Sequence, residues 1–327
     1  MPRHDVITIG ASAGGIEALQ HLVRGLPADL PASVCIVQHI SADGPDLLPA
    51  ILSRAGSLPA VSCEDKMLLE KGHIYVAPPD HHLIVERGRL RLSRGPKENR
   101  HRPSIDVLLR SAAVAYGPQV IGVILTGMLD DGTAGLLAIK QCGGITVVQE
   151  PRDALYPSMP QSAVEHVAVD YTVPLAELSA VLVKVALQQV EENVPMRIPQ
   201  LLAQEVQIAA MNELYLHTHD THFGTASVYS CPDCGGVLEE RQDGTLLRFR
   251  CQVGHAFSAD SLLSEQPEAL EKAMWMALKT LREREHLSRR MHEQAQQAGL
   301  TSLTRRYEDL LQENQEHISI LERVLRR

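Results

Sequence analysis

The sequence contains no uninterrupted apolar run of about 18 residues, so no membrane-spanning helix is expected. The apolar stretch near Met1 to Gly10 is too short for a signal peptide, and a cytoplasmic protein without membrane insertion is the expectation. Basic excess is also missing. With a formal net charge of -9 the chain lacks the concentrated positive surface that neutralises phosphates, which argues against a nucleic-acid partner. There is no internal repeat. Nor do the six cysteines form one paired framework: Cys35, Cys63 and Cys142 stand singly among apolar neighbours and read as small buried hydrophobes. Cys231, Cys234 and Cys251 instead cluster with His255, as metal ligands do.

What is present divides the chain, whose 327 residues exceed a typical single domain. From residue 1 to about 190, short β-branched runs alternate with helical stretches, the pattern of a doubly wound, mostly parallel α/β sheet. Strands are expected at Val6-Ile9, Ser33-Gln38, Ile74-Ala77, Leu83-Glu86, Leu90-Ser93, Val120-Leu125, Ile145-Gln149 and Ala168-Thr172. The turn Glu86-Arg87-Gly88-Arg89 adds a β-hairpin excursion. Helices should start near Gly15 and near Gly132, the second stopped by Gly143-Gly144. Residues 191–230 read as a linker with a short helix at Leu201-Leu214, and its run His217-Thr218-His219-Asp220-Thr221-His222 reads as solvated loop. A zinc-ribbon-like segment (231–258) and a C-terminal helical hairpin (262–327) complete the expected order.

Three strand ends carry the chemistry. Gly10-Ala11-Ser12-Ala13-Gly14-Gly15 follows the first strand and opens a helix, a placement that lifts a serine hydroxyl above the carboxyl edge of a sheet. Free amides at such a helix start can stabilise an oxyanion. A helix-capping serine and a degenerate dinucleotide loop remain competing readings. The dinucleotide reading, which would make the chain a nucleotide-dependent oxidoreductase, wants an acidic residue at the end of the second strand. Gln38-His39 stands there instead, and His39 could serve as general base. After the Val120-Leu125 strand, Thr126-Gly127-Met128-Leu129-Asp130-Asp131-Gly132 offers an aspartate that could orient an imidazole or merely cap a helix.

Together, Ile9 through Gly15, Gln38-His39, His101-Arg102-Pro103-Ser104-Ile105-Asp106-Val107-Leu108 and Thr126 through Gly132 resemble the catalytic domain of CheB-type chemoreceptor protein-glutamate methylesterases. The resemblance covers about residues 4 to 190. It implies hydrolysis of glutamyl methyl esters on a methylated receptor or receptor-like helical protein, with glutamine deamidation as a second activity. It implies Ser12 as nucleophile, His39 as base and Asp131, rather than Asp130, as orienting acid. Ala13, Gly14, Met128 and Arg102 are the expected oxyanion and substrate-loop residues. Two positions depart from the family habit: Ala13 replaces a common threonine, and Leu129 a glycine that would take positive φ cheaply. The family's frequent amino-terminal receiver domain is not expected in this chain, and a noncatalytic scaffold is the second rival. The loop Arg94 to Arg102 is a basic island that would steer an acidic substrate if it lines the cleft.

Cys231-x2-Cys234, sixteen further residues, and Cys251-x3-His255 suit one tetrahedral structural zinc, with no cofactor needed for catalysis. A fragment ending near Gln189 is therefore expected to keep esterase activity on small esters. Leu303, Tyr307, Leu310, Asn314, Ile318, Leu321 and Leu325 form a helical seam, for packing within the hairpin or for self-association.

Overall fold

The computed structural model describes residues 3–190, 198–211 and 223–326. Its centre is a seven-stranded, wholly parallel sheet of β1 (Val6–Ala11), β2 (Ser33–Gln38), β3 (Ala60–Ser62), β4 (Ile74–Val76), β7 (Val120–Ile124), β8 (Ile145–Gln149) and β9 (Tyr171–Val173). The spatial order is β3-β4-β2-β1-β7-β8-β9. β5 (His82–Glu86) and β6 (Arg89–Ser93) form the expected hairpin outside that sheet. Because both faces of a central strand are covered, side chains of either parity are apolar. Ile7, Ile9, Val34 and Ile36 join one core with residues of α1 (Gly15–Arg24), α2 (Leu48–Ala55) and α6 (Leu175–Ala186). Cys35, Val37 and Val148 join the other with α3 (Ile105–Tyr116), α4 (Thr133–Gln141) and α5 (Ser158–His166). Cys35, Cys63 and Cys142 are buried free thiols, as their apolar neighbours implied.

From β1 the chain goes to β2 and the edge strand β3, fills the gap with β4, and later returns to β7 on the other side of β1. The topological switch point thus falls at β1, where open α/β sheets place their sites beyond the strands' carboxyl ends.

Beyond the sheet, the expected linker contains more structure than its composition suggested. Helix α7 (Gln200–Ala209) packs Val206 and Ala209 on Ile84 and Val107, so it lies on the α/β core. The histidine run at 217–222 lies outside the described residues. β10 (Thr225–Ser230), placed in the linker by sequence, pairs with β11 (Val237–Asp243), which continues through β12 (Leu246–Cys251) to β13 (Ala256–Ser258) in an antiparallel sheet. Residues up to Leu262 form one compact unit with the α/β core. The second unit, Leu263–Arg327, carries most of α8 (Ala259–Gln297) and all of α9 (Thr301–Leu325), joined at Gly299. Within it the predicted seam residues are half-buried or, for Asn314, buried, and Arg282–Glu322 and Gln315–Glu285 bridge the helices. Packing within the hairpin therefore accounts for the seam.

Candidate active site

β1 ends at Ala11 and α1 begins at Gly15, so Ser12 sits on the turn between them. That turn closes only because Gly14 adopts φ 72°, a left-handed conformation cheap for glycine. The Ser12 amide donates to the Thr126 carbonyl (3.0 Å), which ties the Ser12 turn to the loop after β7. A methyl group at Gly127 would lie 2.9 Å from Ser12 Cβ, so that loop can pass so close only without a side chain. The amides of Ala13, Gly14 and Met128 have no hydrogen-bond partner among the described residues and sit beside the Ser12 hydroxyl's turn. Met128 itself is exposed. Leu129 adopts φ 59°, so the conformation the sequence flagged as costly for a non-glycine residue is in fact used.

His39 follows β2 directly, and its amide donates to the Ala11 carbonyl at the same sheet edge (3.0 Å). His39 Nδ1 lies 3.1 Å from Ser12 Oγ, and His39 Nε2 lies 2.7 Å from Asp131 Oδ2. Serine, imidazole and carboxylate thus form a continuous hydrogen-bonded line, with the imidazole and carboxylate almost wholly buried. Gln38, where a dinucleotide site would want an acid, instead donates from Nε2 to the carbonyls of Ser12 (2.7 Å) and His39 (3.0 Å).

Asp131 is held by more than the histidine. Its Oδ2 accepts the Ile105 amide (2.7 Å), and its Oδ1 accepts Asn99 Nδ2 (3.0 Å), Ser104 Oγ (3.0 Å) and the Asp106 amide (3.3 Å). Two of these donors are the first amides of α3, so the carboxylate stands at a helix N-terminus, where negative charge is favoured. Burial pushes the Asp131 carboxyl upward, but the His39 contact, the His39 charge and the Asn99 bond outweigh it and hold the group well below the usual range. Asp106 goes the other way: burial first, and the Asp131 charge second, push its carboxyl up to about 8. Asp130 points elsewhere, accepting Ser258 Oγ at 2.7 Å, and burial pushes it up to about 6.

Several participants carried no assignment from sequence. The His101 ring stacks on His39, with centroids 3.5 Å apart and planes 13° from parallel. Burial, then the neighbouring His39, push His101 down to about 4, so the stacked ring is neutral near pH 7. His82 Nε2 donates to the Pro96 carbonyl (2.9 Å) while Nδ1 accepts the Ser104 amide (3.2 Å), which suits one neutral tautomer. His101 and Ser104 lie inside the family motif, but nothing in single-sequence spacing marks Asn99 or His82. Arg102 is a structural clamp: its Nε and Nη2 both reach Asp80 (2.8 and 2.7 Å), and Nη1 donates to the carbonyls of Arg94 and Gly95. Arg94 also pairs with Asp80, so that carboxylate offsets part of the basic island.

A CheB methylesterase family model matches residues 7–182, more than half of the chain. The chain belongs to the CheB methylesterase family. It is 38% identical over 191 residues to a putative protein-glutamate methylesterase/protein-glutamine glutaminase of Leptospira interrogans, covering 58% of this chain and 99% of that one. It is also 38% identical to the protein-glutamate methylesterase FrzG of Myxococcus xanthus, over 56% of this chain and 55% of that protein. Among solved structures, the Thermotoga maritima CheB methylesterase catalytic domain is similar with a TM-score of 0.52 and 32% identity, covering 55% of this chain and 97% of the other. The family match ends at residue 182, before α7 and the antiparallel sheet.

The Cys231, Cys234, Cys251 and His255 cluster forms a second, separate group whose ligand atoms all lie within 4.8 Å of one another. It joins the turn after β10 to the turn between β12 and β13.

Proposed function

We propose that this protein is a protein-glutamate methylesterase in which Ser12, His39 and Asp131 act as nucleophile, general base and orienting acid. The observation that carries the reading is the line Ser12 Oγ, His39 and Asp131, with contacts of 3.1 and 2.7 Å, within the fold of a CheB-family domain. His39 Nδ1 takes the Ser12 proton as Oγ attacks the ester carbonyl carbon. The amides of Ala13, Gly14 and Met128 are the donors available to the developing oxyanion. Collapse expels methanol, which receives the proton from His39, and leaves a glutamyl ester on Ser12. Water then attacks that ester with His39 again as base, which yields glutamate and restores the serine. A glutamine side chain would follow the same course and release ammonia.

The substrate is a methylated, receptor-type helical protein. Exposed Met128, Leu155 and Tyr156 lie on the two loops that meet beside Ser12, where Gly127 N donates to the Tyr156 carbonyl, and they offer an apolar rim to a helix face. No helix among the described residues is long and apolar enough to cross a membrane, which is consistent with action on the cytoplasmic part of such a receptor. The test is methanol release from a methylated receptor fragment together with labelling by an active-site serine probe. Modification mapped to Ser12 and parallel loss of methanol release support the assignment; release undiminished in Ser12→Ala overturns it.

A further inference from the structure

The antiparallel sheet beyond the family domain reaches the catalytic acid through one side chain. Asn99 Nδ2 donates to Asp131 Oδ1 at 3.0 Å and to Asp106 Oδ2 at 2.8 Å. Its Oδ1 accepts the Ser258 amide (2.9 Å) and the Ser261 hydroxyl (3.1 Å), and its own amide donates to the Ala256 carbonyl (2.8 Å). Every polar group of a buried amide side chain is thus used, half toward the acid and half toward β13 and the start of α8. Next to it, Glu98 and Glu205 are buried among Arg110, Arg248 and Arg250, with Arg250 on β12 reaching Glu98 at 3.1 Å and Glu205 at 2.8 Å. Such a network holds the sheet in one register against the loop that carries Asn99.

β13 begins one residue after His255. Cys251 Sγ and His255 Nδ1 are 3.6 Å apart, Cys231 Sγ and His255 Nδ1 3.7 Å, and Cys234 Sγ and Cys251 Sγ 3.7 Å. A tetrahedral zinc ion with bonds of about 2.3 Å to sulfur and about 2.0 Å to nitrogen sets its ligand atoms roughly 3.5 to 3.8 Å apart. Each ligand pair is presented on a hydrogen-bonded turn, the first one residue longer than the second: Gly235 N donates to the Cys231 carbonyl and Gly254 N to the Cys251 carbonyl. All four positions are filled by protein, so an ion here would have no open position for a reacting water.

We propose that Cys231, Cys234, Cys251 and His255 bind one structural zinc ion, and that the metal-held sheet positions the catalytic acid Asp131 through Asn99. The inference rests on the methylesterase reading for Asp131's role. It departs from the expectation that a fragment ending near Gln189 would be catalytically sufficient, because such a fragment lacks β13, α8 and hence half of the side-chain bonds that orient Asn99. Zinc does no chemistry in the reaction; Asn99 is a positioning residue. The loop conformation suits it, since Asn99 has φ 48°, where asparagine is better tolerated than most residues.

The experiment uses the full chain, purified without chelator, with zinc measured by elemental analysis and turnover measured on a small activated ester. The result expected is one zinc per chain. Removing it, or Cys234→Ser, should lower kcat by about tenfold or more with little change in KM, as expected when a catalytic group shifts rather than when binding is lost, and added zinc should restore the chelated wild type. Asn99→Gly, which keeps the backbone conformation, should retain zinc, lose kcat similarly, and lose less than about twofold more on chelation, because both changes break one chain of contacts. Should Asn99→Gly not accumulate, Ser261→Ala carries the same comparison. Absence of zinc, unchanged kcat without zinc, or losses that multiply would overturn the proposal. Hydrogen exchange of the Ile105 amide, which donates to Asp131, separates this from the esterase reading. Faster exchange on zinc removal in a protein with no hydrolysis at all would sink the esterase reading alone, whereas unchanged exchange in an active enzyme would sink the coupling alone.

Discussion

Asp131 accepts from five donors on five residues, His39, Asn99, Ser104, Ile105 and Asp106. With so many donors the carboxylate stays ionised beside the base, and it can stabilise the imidazolium that forms when Ser12 attacks. Ser12→Ala and His39→Ala should therefore lower kcat for ester hydrolysis by roughly 10⁴-fold or more, while Asp131→Asn leaves a residual rate from the oxyanion donors. Steady-state kinetics on purified variants, with thermal unfolding as a control for Ser12→Ala, check this. His101 supplies a pH effect. Its folded-state value of about 4 lies below the ordinary 6.5, so the unfolded chain binds the proton first as pH falls. The stability tied to its neutral form is complete above about 6.5 and is lost between there and about 4. Urea unfolding of wild type and His101→Gln should show a stability gap near pH 7.5 that narrows toward pH 4. At Leu129, held at φ 59°, Leu129→Gly should be nearly neutral for stability and Leu129→Ile should cost about 1–2 kcal/mol, since a β-branched side chain fits that region worst; thermal melts decide.

Among the elements, the parallel strands were legible because buried strands are written as β-branched runs, and β2 and β8 lie where Ser33-Gln38 and Ile145-Gln149 predict. β3 was not legible: three residues, Ala60–Ser62, carry too little pattern to stand out. β9 begins at Tyr171 rather than Ala168, since the residues before it form the bend after α5. Ser12, His39 and Asp131 could be read from strand ends, whereas Asn99 could not, because its partners come from β13 and α8 far along the chain. Helix α7 was legible as a helix but not as part of the core, for its role depends on one buried charge, Glu205. Burial pushes that carboxyl up, and Arg248, Arg110 and Arg250 outweigh it, so the group is held low. Glu205→Gln would leave buried guanidinium groups short of a counter-charge and should destabilise the first unit by about 3–5 kcal/mol. Denaturant titration of the full chain measures this, and a loss below about 1 kcal/mol, the size of a surface pair, would contradict it.

On the scale of the whole molecule, the basic loop has two parts with different consequences. Arg102 holds Asp80 and two carbonyls and so belongs to the loop's own framework, and Arg100 is exposed on the same loop. Arg100→Gln should weaken turnover of a protein substrate at low salt more than that of a small ester, because steering acts on encounter and is screened by ions. Arg102→Gln should harm both substrates alike by loosening the loop next to His101. Rate measurements across ionic strength with both substrates separate the two. The long reach of Asn99 also bears on how the protein is made. Asn99 and Ser261 are separated by 162 positions in sequence, and a chain emerging from the ribosome folds its amino-terminal part first. Nucleophile, base and acid are all synthesised before residue 132, yet the acid receives its last support only after residue 261 has appeared. A nascent chain paused in between would carry Ser12, His39 and Asp131 with an unfinished mooring, so synthesis of β13 and the start of α8, rather than synthesis of those three residues, would set the moment at which the proposed site is assembled.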